Sequence, residues 1–400
     1  MNVGKKKERK EIMIRIGVIG CGNRSFIAFH ALEFPDTVIA AGADPSQENL
    51  EKFRNQLKTD FHAEMNVYSD YREMIGKENL SAVIITSPDH FHAEQSMYAM
   101  KHGLGVYLEK PLAITLEECN DILRCAREEN ARLQIGHNMR YLWFTNKMKE
   151  IIDSGAIGEV QAIWVRHFVS YGDGYFRKWY SRREHINSLL IQKGAHDIDI
   201  IHMLADSYTE RVSGYGKLSV YDKLPRRKPG EPVPVYKDRS LNWPHKDMKD
   251  FSPEISINDH NMILMQLRNG VQASYMQCFY TPDTVRNYTV IGTQGRLENY
   301  GDLGGGACIQ LWNTREDRFR LEGDVTWREP RQNGSGHGGA DASIIRSFLR
   351  YLRGEETPAI RPQDAWYAAA CGIAGAESIR RGNIPVNIPE LAPDLENCRF

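Results

Sequence analysis

A glycine-containing turn near the amino terminus has the residue types that can bind a nucleotide diphosphate. A predicted strand runs directly into GCGNRS, residues 20–25, and a helical pattern follows. The first glycine permits a tight bend, the second lets the backbone approach a pyrophosphate, and the next helix offers free N–H groups. Ser25 replaces a third glycine, but it is small, and its hydroxyl can cap the helix or contact phosphate. The predicted dinucleotide-binding residues of this turn are Gly20, Gly22, Asn23, Arg24 and Ser25.

Asp44 ends the second predicted strand, in AAGADPS. An acid at this place commonly hydrogen-bonds the ribose hydroxyls of the adenosine half of a dinucleotide. A carboxylate repels a ribose phosphate, so Asp44 favours NAD over NADP. Arg24 or Arg54 can still accommodate a phosphate, which leaves NADP as the alternative cofactor. The other interpretation is that Asp44 only caps the helix that begins PSQENL.

A second group of polar residues lies on one predicted helix, residues 188–206. Helical spacing brings Gln192, His196 and Asp199 to one face, with Lys193 beside them. Histidine is suited to proton transfer because its pKa lies near working pH and its surroundings can tune it. The alternative is that His196 is an ordinary packed or surface residue.

The elements that position these residues begin with a parallel sheet. From Met13 to about His137, short β-branched apolar runs alternate with longer helical patterns, which is typical of a doubly wound α/β domain. We expect five or six βα units in a Rossmann domain over residues 13–137, after a basic, flexible segment at 1–12. The predicted strands cover residues 13–20, 38–43, 81–87, 105–109 and 133–137.

The pattern changes after Tyr141. Long alternating runs separated by Gly, Pro and Asn predict an α+β domain over residues 138–400, with a large, mostly antiparallel sheet that carries the substrate site. Residues 224–245 are rich in Pro and charge and predict a loop, which is a lid, an oligomer contact or a solvated surface segment. The clearest strands are predicted at 160–170, 261–279 with a turn at Asn269-Gly270, and 287–299.

The composition of the chain indicates which kinds of partner and which cellular compartment to expect. The 400 residues suffice for two hydrophobic cores. Lys and Arg number 51 against 52 for Asp and Glu, so a net charge of -1 draws the chain to neither nucleic acid nor an anionic membrane. The seven cysteines form no CxxC pair, which favours reduced thiols. No apolar run is long enough for a transmembrane helix. We therefore expect a cytoplasmic protein. Asp259 and His260 lack a third ligand, and no metal site is expected.

A family resemblance rests on motifs in a fixed order. Glu109-Lys110-Pro111 follows a strand, Pro88 and His92 lie upstream in TSPDHFH, and the glycine turn opens the domain. Together they resemble the glucose–fructose oxidoreductase, inositol dehydrogenase and rhizopine catabolism (Gfo/Idh/MocA) family of NAD(P)-dependent oxidoreductases. The resemblance continues in GHNMRY (136–141), SGAIGEV (154–160), KGAHDIDIIHML (193–204), GTQGRLE (292–298) and AAACGIAGAESIRRGNIPV (368–386).

The resemblance implies a nicotinamide site between the two domains and a small sugar or polyol substrate beside it. In such proteins the lysine of the triplet, here Lys110, reaches toward the cofactor and the substrate, and we expect it to stabilise the developing alkoxide. A histidine at the position of His196 accepts the hydroxyl proton while hydride leaves the same carbon. The C-terminal sheet often supports oligomers, so we expect a homodimer or homotetramer.

The resemblance also implies further contacts. Independently of the resemblance, Trp179 precedes the 188–206 helix and is a candidate for stacking on a sugar ring, with ordinary strand and loop packing as the alternative. The additional cofactor-binding residues are Ser87, Pro88, His92, Glu109, Lys110 and Asn138. The substrate-binding residues are Lys110, Gln192, Lys193, His196 and Trp179.

One position departs from the family. Many sugar and polyol dehydrogenases carry an aspartate where this chain has Gln192, and glutamine cannot act as a base. Lys193 can compensate, or Asp197 or Asp199 can orient His196. The leading hypothesis is an NAD-dependent dehydrogenase of a sugar, sugar derivative or cyclic polyol. The alternatives are a redox-neutral epimerase or glycosidase-type enzyme that retains its cofactor, and a non-catalytic NAD- and sugar-sensing regulator.

Overall fold

A computed structural model describes residues 13–233, 250–303, 306–330, 337–396 and 398. The predicted basic segment 1–12 and residues 234–245 of the predicted loop lie outside these ranges. Within the described part of the chain, two sheets form the framework, one of six strands and one of nine. No helix in that part combines the length and apolar character needed to cross a bilayer.

The amino-terminal sheet is parallel and doubly wound. Its strands are β1 (Ile14–Ile19), β2 (Thr37–Ala43), β3 (Asn66–Tyr68), β4 (Ala82–Ile85), β5 (Gly105–Leu108) and β6 (Leu133–Ile135). They lie in the order β3-β2-β1-β4-β5-β6, which reverses direction between β1 and β4 and opens a crevice at their carboxyl ends. Its helices are α1 (Gln47–Phe61), α2 (Tyr71–Lys77), α3 (His92–Lys101) and α4 (Leu116–Glu128). The five predicted strands are confirmed, and β3 is an addition.

The segment that follows the glycine turn differs from the expectation of an ordinary α-helix. Residues Ser25–Glu33 form a 3-10 helix. The Ser25 hydroxyl donates to the Gly22 carbonyl oxygen at 2.6 Å, so it braces the turn from within.

The carboxyl-terminal sheet is antiparallel except where β7 and β10 run parallel. Its strands are β7 (Val160–Phe168), β8 (Thr209–Lys217), β9 (His260–Leu267), β10 (Gln272–Cys278), β11 (Val285–Gly292), β12 (Arg296–Tyr300), β13 (Cys308–Trp312), β14 (Val325–Arg328) and β15 (Val386–Asn387). The predicted turn at Asn269-Gly270 joins β9 to β10, and Gly270 has a φ of 88° that suits glycine. The order is β14-β13-β12-β11-β7-β10-β9-β8-β15.

Helices cover one face of this sheet. Those that pack on it are α5 (Trp143–Asp153), α8 (Gly194–Ala205) and α10 (Pro362–Arg380). The other helices of this half of the chain are α6 (Arg183–Ile186), α7 (Leu189–Gln192), α9 (Ala340–Leu352) and α11 (Pro393–Glu396). Helix α10 lies so close to β8 that a Cβ on Gly214 would come within 3.0 Å of the Gly375 carbonyl oxygen. The opposite face leaves Trp164, Tyr215 and Leu264 exposed.

The predicted single helix 188–206 is wrong in one respect, because it is interrupted at Lys193. Helix α7 ends at Gln192 and α8 begins at Gly194. A Cβ on Gly194 would come within 2.9 Å of the Tyr275 ring, so the start of α8 packs directly on the sheet. The interruption lets Gln192, Lys193 and His196 face the domain boundary from two short helices.

Helix α9 comes from the carboxyl-terminal part of the chain but packs on the amino-terminal sheet. Its Ile344, Phe348 and Leu349 share a hydrophobic core with Ile16 and Ile27. Arg353, just past its end, pairs with Asp36 at 2.6 Å. The helix therefore joins the two halves of the molecule beside the crevice.

Candidate active site

A groove of about 630 Å³ follows the carboxyl ends of β1, β2 and β4. Gly20 has a φ of 85°, and a Cβ there would lie 2.6 Å from the Ser87 backbone nitrogen, so only glycine fits this turn. At Gly22 the nearest atom to an added Cβ is 3.8 Å away, and the backbone is open to the groove. Asn23, Ser87 and Pro88 also line it. This open backbone cradle fits a pyrophosphate.

Asp44 stands in the wall of the groove at the end of β2. The backbone N–H groups of Cys21 and Ser46 each donate to its carboxylate at 2.8 Å. Ser46 is the residue that caps α1, because its hydroxyl accepts from the Asn49 N–H. The interpretation of Asp44 as merely the helix cap is therefore wrong, and its carboxylate is held where a ribose could reach it.

Arg24 lines the groove but is already paired with carboxylates. Its Nε lies 2.7 Å from Glu109, and its two terminal nitrogens lie 2.8 Å from Asp341 at the start of α9. Arg54 is exposed on α1 and does not line the groove. Of the two arginines predicted as possible phosphate partners, Arg24 is thus already paired with carboxylates, and Arg54 lies outside the groove wall.

Three other residues predicted to bind the cofactor, His92, Asn138 and Glu109, make hydrogen bonds to neighbouring protein groups. The buried His92 ring lies 2.7 Å from the Pro111 carbonyl oxygen and 3.1 Å from that of Ser87, so it joins two loops from behind. The Asn138 amide donates to Asp341 at 2.8 Å. Glu109 holds Arg24, as described above. Of the three, Asn138 and Glu109 also line an inner cavity next to the groove, whereas His92 lines neither space.

The inner cavity has a volume of about 210 Å³ and lies between the two sheets. It shares wall residues with the groove, among them Arg24, Ser87 and Trp179. All five predicted substrate-binding residues line it: Lys110, Trp179, Gln192, Lys193 and His196. The structure therefore brings together side chains from β5, α7, α8 and the segment before α6.

Lys110 lies just after the end of β5 and is half-buried. Its ammonium donates to the Gln192 carbonyl oxygen at 2.6 Å, across the boundary between the two domains. Burial lowers its pKa to about 8, although Asp89 opposes this shift. The group can thus supply a positive charge to the cavity with little water around it.

His196 lies among positive charges. Burial, followed by the charges of Lys110 and His137, holds its pKa well below its usual value. Among the described residues, its Nδ1 has no hydrogen-bond partner. The expectation that Asp197 or Asp199 orients His196 is wrong. The Asp197 carboxylate lies 2.8 Å from Arg286, and the Asp199 carboxylate lies 2.7 Å from Arg140.

The Lys193 ammonium also has a fixed partner. It lies 2.9 Å from the Tyr171 hydroxyl, and the nearby Tyr175 and Tyr171 raise its pKa despite burial. Gln192 uses its backbone carbonyl for Lys110 and leaves its side-chain oxygen without a hydrogen-bond partner among the described residues. These two residues therefore present to the cavity one cation and one amide oxygen without a partner in the described part of the chain.

Asp89 is the residue that the sequence interpretation missed. It lines the inner cavity, is 4% exposed and has an Oδ2 without a hydrogen-bond partner among the described residues. Burial raises its pKa to about 7, with Lys110 pulling in the other direction. Its position after β4, at the same sheet edge as Lys110, is the signal that could have found it.

Comparison with known families agrees with this arrangement. Residues 14–137 match the oxidoreductase family model with an NAD-binding Rossmann fold, and residues 149–388 match its C-terminal alpha/beta domain. The chain belongs to the Gfo/Idh/MocA oxidoreductase family. This membership confirms the predicted fold class and the NAD-binding amino-terminal domain.

Curated relatives of this Gfo/Idh/MocA chain match it over part of their length. The 1-carboxy-3-chloro-3,4-dihydroxycyclohexa-1,5-diene dehydrogenase of Comamonas testosteroni is 30% identical over 208 residues, 50% of each chain. The inositol 2-dehydrogenase/D-chiro-inositol 3-dehydrogenase of Halalkalibacterium halodurans is 31% identical over 204 residues, 50% of this chain and 55% of that one. The chain thus spans about half the length of these relatives.

Solved structures resemble the Gfo/Idh/MocA chain over nearly its whole length. Levoglucosan dehydrogenase in complex with NADH and levoglucosan has a TM-score of 0.76 at 19% identity, covering 94% of this chain and 100% of that one. The myo-inositol 2-dehydrogenase of Lactobacillus plantarum has a TM-score of 0.69 at 20% identity, covering 94% and 99%. At these identities the likeness establishes the fold.

Proposed function

We propose that this chain is an NAD-dependent dehydrogenase that oxidises a hydroxyl group of a sugar, sugar derivative or cyclic polyol. The observation that carries the proposal is the polar inner cavity, which adjoins the nucleotide groove and has Lys110 and His196 in its wall. Relatives named as inositol and cyclic diol dehydrogenases support the substrate class.

The groove residues fit a dinucleotide. Gly20 and Gly22 would approach the pyrophosphate, and Asp44 would accept hydrogen bonds from the adenosine ribose. NAD, when bound, would supply the hydride acceptor.

In the cavity, the Lys110 ammonium would stabilise the developing alkoxide because a charge buried from water acts strongly on a nearby oxygen. His196 would contact the same hydroxyl, and its role as the base stays a prediction. Trp179 would pack against the substrate ring.

A redox-neutral reaction is the second candidate. Two observations favour it: Gln192 cannot serve as a base, and a relative named 2,7-anhydro-N-acetylneuraminate hydratase, from Mediterraneibacter gnavus, is 30% identical over 122 residues, 30% of each chain. In that case the cavity would bind a glycoside, and the cofactor would return to its starting state after each turnover. A non-catalytic sensor would require neither Lys110 nor His196 in the cavity wall.

The experiment is a hydride-transfer screen. The purified protein is incubated with NAD and a panel of sugars and cyclic polyols, and NADH fluorescence is followed. Lys110→Met keeps most of the side-chain volume but removes the charge, so we expect kcat/KM to fall by about 100-fold or more. Lys101→Met, on the exposed surface of α3, is the control and should match the wild type. Full activity in Lys110→Met would contradict the role of Lys110, and product without NADH would favour the redox-neutral reaction.

We further propose that the chain forms a homo-oligomer through the exposed face of its carboxyl-terminal sheet. Adjacent strands β7, β8, β9 and β10 carry large apolar side chains on that face. Those that are at least a third exposed are Trp164, Tyr215, Met262, Leu264 and Met276. A contiguous apolar patch of this kind is typical of a subunit interface.

A further inference from the structure

Two carboxyl groups line the inner cavity within the described residues, and their surroundings differ. Glu109 accepts from Arg24 at 2.7 Å and from the Tyr107 hydroxyl at 3.2 Å, so it is held by fixed partners. The Oδ2 of Asp89 has no such partner, although the side chain is buried. A buried polar atom without a partner is rare and points to a group that the cavity has yet to bind.

The groups around Asp89 favour a carboxyl that can exist in either protonation state. Burial favours the neutral acid, whereas Lys110 favours the carboxylate. A base whose two states are balanced near neutral pH is efficient at accepting a proton. Among the described residues, Lys110 and Glu109 after β5 act on Asp89, and so do Tyr175 and Tyr180 between β7 and α6. Arg24, Lys193 and His196 line the same cavity. The side-chain amide of Gln192, at the end of α7, also favours the carboxylate.

His196 has the opposite surroundings. Burial, and then the charges of Lys110, Lys193 and Arg286, all disfavour a positive charge on its ring. An imidazolium would add another cation to a cavity that already contains two lysines. A proton leaving a substrate hydroxyl would therefore be held better by Asp89 than by His196.

We propose that Asp89 is a catalytic residue that takes the proton of the substrate hydroxyl. This inference rests on the proposed dehydrogenase function. The O–H bond breaks, its proton joins the Asp89 carboxylate, and its electron pair forms the carbonyl as the carbon loses hydride to the bound NAD. Lys110 remains an ammonium and holds the oxygen, while neutral His196 orients the hydroxyl. Substrate, carboxylate and NAD would thus become carbonyl product, carboxylic acid and NADH.

The test compares Asp89→Asn, which keeps the side-chain size, with wild type. In wild type we expect kcat/KM to fall as the pH drops below about 7, because Asp89 becomes protonated. In Asp89→Asn, kcat/KM at pH 8 should fall by about 100-fold or more, without that acidic decline. Asp89→Glu should restore the decline, and His196→Asn should retain it at its lower rate. Asp60→Asn, exposed on α1, is the matched control.

A second readout needs neither cofactor nor substrate. The infrared band of a protonated carboxyl should disappear from the wild-type protein as the pH rises through about 7, and this change should be missing in Asp89→Asn. If Asp89→Asn keeps wild-type kcat/KM, or keeps the acidic decline, or leaves the infrared change in place, the role of Asp89 is overturned. If the wild type reduces no NAD with any substrate, the proposed function itself fails, and the role fails with it.

Discussion

His196 and Asp44 illustrate how single residues are prepared for their ligands by their neighbours. Burial, together with the charges of Lys110 and Lys193, keeps the His196 pKa low, so its ring stays neutral. A neutral ring can donate one hydrogen bond and accept another. Asp44, in contrast, is fixed by backbone N–H groups that stabilise its charge. His196 can therefore contact a substrate hydroxyl as a neutral ring. Asp44 can accept hydrogen bonds from ribose hydroxyls as a charged carboxylate.

Asp44 provides a prediction about cofactor choice. Asp44→Asn keeps the size and one acceptor oxygen but removes the charge that repels a ribose phosphate. We expect the ratio of the NADP and NAD dissociation constants to fall by about tenfold, which corresponds to about 1.4 kcal/mol. Titration calorimetry with both nucleotides measures it. Glu51→Gln, exposed on α1, is the control, and an unchanged ratio in Asp44→Asn would show that Asp44 does not select the cofactor.

The sequence located those residues that adjoin a regular pattern. Gly20 and Asp44 follow strands, and His196 lies within a helical repeat, so local rules were sufficient to single them out. Partners distant in the sequence could not be predicted in this way. Asp197 bonds Arg286, 89 residues away, and Asp199 bonds Arg140, 59 residues away. These contacts form only when the chain has folded. Because both carboxylates are paired in this way, neither Asp197 nor Asp199 contacts His196.

At the scale of elements, sequence patterns predicted most strands but not the interruptions. Strand β3 has three residues at the edge of the sheet and is only partly buried, so no apolar run marks it in the sequence. The sequence from 188 to 206 reads as one helix because its apolar spacing continues through Lys193. The interruption is tertiary in origin, since Gly194 packs against Tyr275 and Lys193 turns to Tyr171.

Helix α9 provides the prediction at this scale. Phe348 is fully buried, and its ring lies 5.8 Å from that of Tyr107, whose hydroxyl donates to Glu109. Phe348→Ala should lower the free energy of unfolding by about 3 kcal/mol or more, because it leaves a cavity in the core. Urea unfolding followed by circular dichroism measures it. Arg346→Ala, on the exposed side of α9, should change it by less than about 1 kcal/mol; equal effects of both changes would argue against this packing.

At the scale of the whole molecule, the exposed face of the carboxyl-terminal sheet allows a test of the proposed homo-oligomer. Leu264 is 62% exposed in the single chain and lies at the centre of that face, on β9. Leu264→Lys would bury an unpaired charge in the proposed interface, so we expect it to reduce the molar mass measured by light scattering to that of one chain. Phe319→Lys, 86% exposed between β13 and β14, is the control. A wild-type protein that is already monomeric would contradict the interface.

The path of the chain through α9 has a consequence for protein synthesis. Residues 340–352 complete the core that covers β1, yet a ribosome makes them long after all six strands of that sheet. Until they emerge, the nascent chain presents Ile16 and Ile27 without the side chains of α9 against them. Exposed apolar surface of this kind is what chaperones bind. We therefore expect the dinucleotide groove to reach its final shape only after residues 340–352 have been translated, when Asp341 becomes available to hold Arg24.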